Sequence, residues 1–123
     1  MVIKTIKYED YNGNVREEKF HFNLNQAELM EMEASKNGGL STYIQRIAEE
    51  QDAPKIMELF KELLQKSYGV KSDDGKRFIK SKELTEAFIQ TEAYSELFVL
   101  LASNADEATA FINGIIPKKL AGK

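Results

Sequence analysis

The sequence predicts a mainly α-helical α+β fold, an N-terminal β-hairpin followed by a bundle of five or six helices. Three observations carry that expectation. Apolar and polar residues alternate up to Phe22, whereas from Asn25 onward the apolar spacing lengthens to about 3.6 residues. The chain has 123 residues, 42% of them hydrophobic, which is one domain's worth of sequence. A domain of that size buries on the order of two thirds of the surface its unfolded chain exposes, enough for a core without staples.

The hairpin occupies residues 1–22. Val2, Ile6 and Tyr8 fall on one face with Lys4 between them, and Ile3, Thr5 and Lys7 fall on the other. Asn12-Gly13-Asn14 then supplies residue types that tolerate the positive φ angles of a tight turn. The stretch from Val15 to Phe22 puts Phe20 and Phe22 on one face, Lys19 and His21 on the other. A lone hairpin is marginal in water, so its apolar face must lean on the rest of the chain.

Residues 25–116 form the helical part. Asn25 and Glu28 have capping-box spacing and open a first helix that runs to about Lys36, where Asn37-Gly38-Gly39 stops it. Ser41 or Thr42 caps a second, with Tyr43, Ile44, Ile47 and Ala48 on one stripe. Asp52, with Pro54 just inside, opens a third. Its apolar face is Ile56, Phe60, Leu63 and Leu64, backed by Met57 and Leu59, and Gly69 follows its end. Residues 70–80 read as the least regular stretch, with a turn at Asp73-Asp74-Gly75 and a basic character from Lys76, Arg77 and Lys80. Ser81 caps a fourth helix whose Leu84, Ala87 and Phe88 face inward. Thr91-Glu92 either continues that helix or restarts it into a fifth, with Tyr94, Leu97, Phe98 and Leu101 inward. Asn104 and Glu107 repeat the capping spacing before a last short helix with Ala108, Phe111 and Ile112, which Gly114 and Pro117 end. Residues 117–123 are expected to be a flexible tail, and no repeat or linker divides the chain.

The search for chemistry is mostly exclusion. With no cysteine there is no disulfide, thiolate metal site or Cys nucleophile. His21 is the single histidine, set between two phenylalanines with no nucleophile motif, and reads as a surface or edge residue. A calcium loop starting at Asp73 would need a glutamate where Leu84 stands. Gly38-Gly39 lacks the Lys-Ser/Thr of a phosphate loop. Glu17-Glu18 and Glu49-Glu50 are adjacent residues whose side chains diverge, so neither pair converges on a substrate. Seventeen basic against twenty acidic residues, net charge −3, argue against a nucleic-acid binder, and Lys71, Lys76, Arg77, Lys80 and Lys82 read as a solvated loop. Neither the N-terminus, interrupted by Lys4, nor the short run Leu97–Ala102 suits a signal peptide or a membrane span. The expectation is a cytoplasmic, non-enzymatic protein without metal, cofactor, nucleic acid or membrane.

What remains is apolar surface. The segment from Ala93 to Pro117 is dense in large side chains, and Val99 and Leu100 widen the apolar arc around 93–102 beyond one core face. Any one of these residues is ordinarily core, but a surplus in the set is what a partner-binding face would leave. The candidate contact residues are Tyr94, Leu97, Phe98, Leu101, Phe111, Ile115 and Ile116.

Several stretches carry a family resemblance. Ile56-Met57-Glu58-Leu59-Phe60-Lys61 leads to Lys66-Ser67-Tyr68-Gly69-Val70-Lys71-Ser72; Asp73 to Lys80 follows; then comes Phe88-Ile89-Gln90-Thr91-Glu92-Ala93-Tyr94-Ser95-Glu96-Leu97-Phe98. With the ending Asn104-Ala105-Asp106 and Phe111 to Pro117, these resemble tail assembly chaperones of long, non-contractile-tailed bacteriophages and prophages of Gram-positive hosts. The likeness covers the chain from about Leu40 onward, most specifically in Lys-Ser-Tyr-Gly and Thr-Glu-Ala-Tyr-Ser-Glu.

The resemblance implies a protein that coats the aggregation-prone tape measure protein in the host cytoplasm and helps recruit tail tube subunits. It further implies absence from the mature virion, and a frameshift-extended second form for which the tandem Lys118-Lys119 offers a place. Self-association is a further expectation. Two rival readings are a structural virion component (a tail tube or head–tail connector subunit) and a small nucleic-acid-binding regulator using residues 71–82.

Overall fold

The computed structural model describes residues 1–117. Among them are four strands and six helices. They run β1 (Val2–Glu9), β2 (Val15–Phe22), α1 (Gln26–Ser35), α2 (Gly39–Glu49), α3 (Ala53–Ser67), β3 (Tyr68–Lys71), β4 (Phe78–Ile79), α4 (Lys82–Ile89), α5 (Glu92–Ser103) and α6 (Ala105–Ile115). The α+β class, the N-terminal hairpin and the six helices are as the sequence predicts. The expected tail lies outside the described residues except for Pro117.

The hairpin register pairs Val2 with Phe22 and Glu9 with Val15. Its turn is held by Asp10, whose Oδ1 accepts from the backbone N–H groups of Asn12 and Asn14 at 2.9 Å, while Arg16 Nε donates to Oδ2 at 2.6 Å. The Arg16 hydrogen bond, aided by those backbone donors, lowers the Asp10 carboxyl below its ordinary range. Ile6 and Phe22 are buried, as the alternation requires.

The hairpin does not lean on helices alone. Residues expected to be irregular supply two more strands: β3 pairs with β2 (His21 opposite Gly69, Phe22 opposite Tyr68) and β4 pairs with β3, giving the order β1-β2-β3-β4. Strands of four and two residues are too short to show a period of two in sequence. The turn at Asp73-Asp74-Gly75 is therefore the tip of a second small hairpin, closed by Ser72 N–H donating to Arg77 O at 2.9 Å. One further correction follows. His21 sits half-buried in a strand paired on both sides, not at an edge. Gly69 follows the end of α3, as expected, and is a buried residue of β3.

Helix starts follow capping chemistry. Asn25 and Glu28 make the full capping box, and Asp52, Ser81, Thr91 and Asn104 each accept a backbone N–H in the first turn of their helix. Thr91 therefore restarts the chain into α5 and does not prolong α4. At α2 the expectation fails: Ser41 and Thr42 lie inside the helix, which begins from Gly38 in a left-handed conformation (φ 78°) with no side-chain cap. Two glycines in a row, both at positive φ, let the chain turn directly into a helix there.

The core is one contiguous cluster. Its centre is Phe22, Leu63, Leu64, Leu101, Phe111 and Ile115, all essentially sealed from solvent. Leu40 joins it from α2, whereas Ala48, Met57 and Ala87, expected to face inward or to back the inner face, are exposed. Gly114 does not end α6. It lies within the helix, where a β-carbon would collide with the Val2 side chain, so the glycine lets α6 press against β1.

Candidate functional site

The seven apolar residues proposed for partner contact divide into two groups. Leu97, Leu101, Phe111 and Ile115 are 0–2% exposed and belong to the core of the single chain. Tyr94, Phe98 and Ile116 are half-buried, packed against that core but reaching the surface. The surplus apolar arc exists on other residues of the same helix: Val99 is 59% exposed and Leu100 38%, a ridge on the outer side of α5.

The resemblance-carrying motifs are chiefly architectural. Ser67 is fully buried and donates from Oγ to Leu63 O at 2.6 Å, turning the end of α3 into β3. Tyr68 stacks on Phe88 with ring centroids 4.3 Å apart, and burial, with the Glu18 charge as a lesser cause, raises its phenol pKa. Thr91 donates to Phe88 O at 2.7 Å and accepts from Tyr94 N–H, which stands the Tyr94 ring edge-on to Phe88.

The basic stretch also resolves into structure at one position. Lys80 is not part of a solvated loop: its ammonium donates to both oxygens of Glu28 at 2.7 and 2.9 Å, to Asn23 O at 2.7 Å and to Lys66 O at 2.8 Å. It thereby clamps the start of α1, the end of α3 and the β4–α4 junction together. Among the described residues, no group of three or more His, Asp or Glu could hold a metal ion, and no helix is long and apolar enough to cross a membrane.

The residue pattern did not single out one extended apolar concavity. α2 packs on α1 and α3, while α6 packs on α5 and β1, and a trough remains between α2 and α6. One end, of about 560 Å³, is lined by Leu40, Ser41 and Gln45 of α2 facing Asn113 and Ile116 of the α6 end, with Leu29 beneath. The other end, of about 370 Å³, is lined by Ile47 and Ala48 facing Ala105 and Ala108. Ile44, Thr109 and Ile112 line both, so the two are one continuous trough between antiparallel helices. It brings together two of the proposed contact residues, Leu101 in its floor and Ile116 at its end. Ala48, a small residue of the α2 stripe, is exposed on its wall, which only the packing of α2 and α6 reveals.

Compared with known protein families, the chain matches the model of one family along its whole length, residues 1–123, and that family is described as phage tail assembly chaperone. No curated protein and no solved structure matches it.

Proposed function

The chain belongs to the phage tail assembly chaperone family, and from that premise we propose that it binds the tape measure protein in the host cytoplasm. Bound there, it keeps that partner soluble, helps recruit tail tube subunits, and is left out of the finished virion. The observation that carries this reading is the family match over all 123 residues. The open apolar trough and the exposed Val99–Leu100 ridge support it, because a holdase needs apolar surface that its own core does not cover. The likeness in residues 56–98 extends the proposal to non-contractile-tailed phages of Gram-positive hosts.

Co-expression with the cognate tape measure protein is the direct test. The expected result is a soluble partner that co-purifies with this chain. A partner equally insoluble with and without it overturns the proposal. Mass spectrometry of purified particles separates the chaperone from a virion subunit, since stoichiometric amounts in particles would assign it to the tail itself.

A further inference from the structure

Resting on the chaperone reading, we infer that the α2–α6 trough docks an amphipathic helix of the client, apolar on one face and flanked by lysine or arginine. The shape points to a helix. The α2 lining recurs at Leu40, Ile44, Ile47 and Ala48, about 12 Å along the helix axis. The α6 lining recurs at Ala105, Ala108, Thr109, Ile112 and Ile116. Two antiparallel stripes of this length match two turns of a third helix laid between them, the helix-in-groove mode of recognition. Small side chains at Ser41, Ala48 and Ala105 allow its backbone a close approach.

Charge selects the occupant. Among the described residues, Glu33 is the one ionisable side chain lining the trough, and no lysine or arginine does. Glu49 and Asp106, next in sequence to Ala48 and Ala105, are exposed carboxylates beside its other end. A helix with cationic flanks is steered there and an acidic one is repelled. Val99 and Leu100, by contrast, line neither end of the trough.

The test uses the full chain co-purified with the tape measure protein. Ala48→Arg and Thr109→Arg place a bulky cation in the trough from exposed positions, so the fold should survive with an unchanged melting temperature. Each should weaken client retention by about tenfold or more, while Val99→Arg on the ridge should change it by less than about twofold. Glu33→Lys reverses the trough's charge without filling it, and its effect should shrink as salt is raised. A synthetic helical peptide with a leucine stripe and lysine flanks should displace the client; the same peptide with glutamate flanks should not.

If the trough variants retain the client and Val99→Arg loses it, the docking site is wrong while the chaperone reading stands. If the unaltered chain retains no client, the chaperone reading falls and takes the docking site with it. If Thr109→Arg instead dissociates a dimer of the unaltered chain, a second copy fills the trough and the inference is overturned. Methyl cross-peaks from Ile112 to residues 118–123 in the free chain would likewise assign the trough to the chain's own end.

Discussion

The strand side of the molecule is closed and the α2–α6 side is open, and the difference lies in side-chain size. On the strand side, Phe22 meets Tyr68, Phe88 and Phe111 with ring centroids 5.4–5.9 Å apart, and Phe88 in turn stacks on Tyr68 and meets Phe20 and Tyr94. Such rings fill the space between the sheet and its helices. Along the trough, alanine and serine face isoleucine, and the gap between the helices is left unfilled. The first region fixes the shape of the chain; the second leaves apolar surface available to something else.

Truncation measures that contrast most directly. Phe22→Ala deletes a fully buried ring shared by three aromatic neighbours and should cost about 3–5 kcal/mol in chemical denaturation. Ile112→Ala in the half-buried wall of the trough should cost far less, about 1 kcal/mol. Equal losses at the two positions would mean that the trough is closed in solution and the contrast is false.

The Lys80 clamp bears on the closed side by electrostatics. Lys80→Met keeps the aliphatic stem but removes the ammonium from Glu28, which keeps the Asn25 N–H of its capping box, and from the carbonyls of Asn23 and Lys66. The expected cost is about 1–3 kcal/mol, the range for half-buried groups bonded to a charge. A neutral result would show that water replaces the ammonium and that the aromatic packing holds this junction unaided.

Legibility in the sequence follows the same division. Helix starts were readable at Asn25, Asp52, Ser81, Thr91 and Asn104 because capping is local chemistry between residues three apart or fewer. The hairpin was readable because eight-residue strands have room to alternate. β3 and β4 were not, since strands of four and two residues are too short to alternate, and β3 pairs with β2, more than forty residues earlier in the chain. Among the proposed contact residues, helical spacing placed Leu97, Leu101 and Phe111 on apolar stripes but could not distinguish a core from a partner, and ending the last helix at Gly114 left Ile115 outside it. The trough was illegible for a related reason: α2 and α6 are distant in sequence, and a gap between them is a property of neither.

Gly114 tests how tightly the closed side is fitted. Alanine in a helix is ordinarily favoured over glycine by about 1 kcal/mol. Here the added methyl meets Val2, and overpacking of that kind costs about 1–3 kcal/mol. Gly114→Ala should therefore be neutral to destabilising by about 2 kcal/mol, and combining it with Val2→Ala should relieve the clash. A double-mutant cycle reads the coupling directly. Additive effects would mean that α6 and β1 are not pressed together.

Ala48→Leu is the smallest expected effect and the sharpest contrast with Gly114→Ala. Both add bulk to a helix at the position of a small residue, but Ala48 is exposed on the wall of an open trough. Leucine is nearly as good a helix former as alanine, so propensity contributes little. The added side chain can lie against Ile44 without displacing anything, and partial burial there offsets its lost rotamer freedom. The net change should stay within about 0.5 kcal/mol in either direction. A loss of about 2 kcal/mol or more would show that α2 and α6 close on each other in solution, leaving no room between them for a third helix.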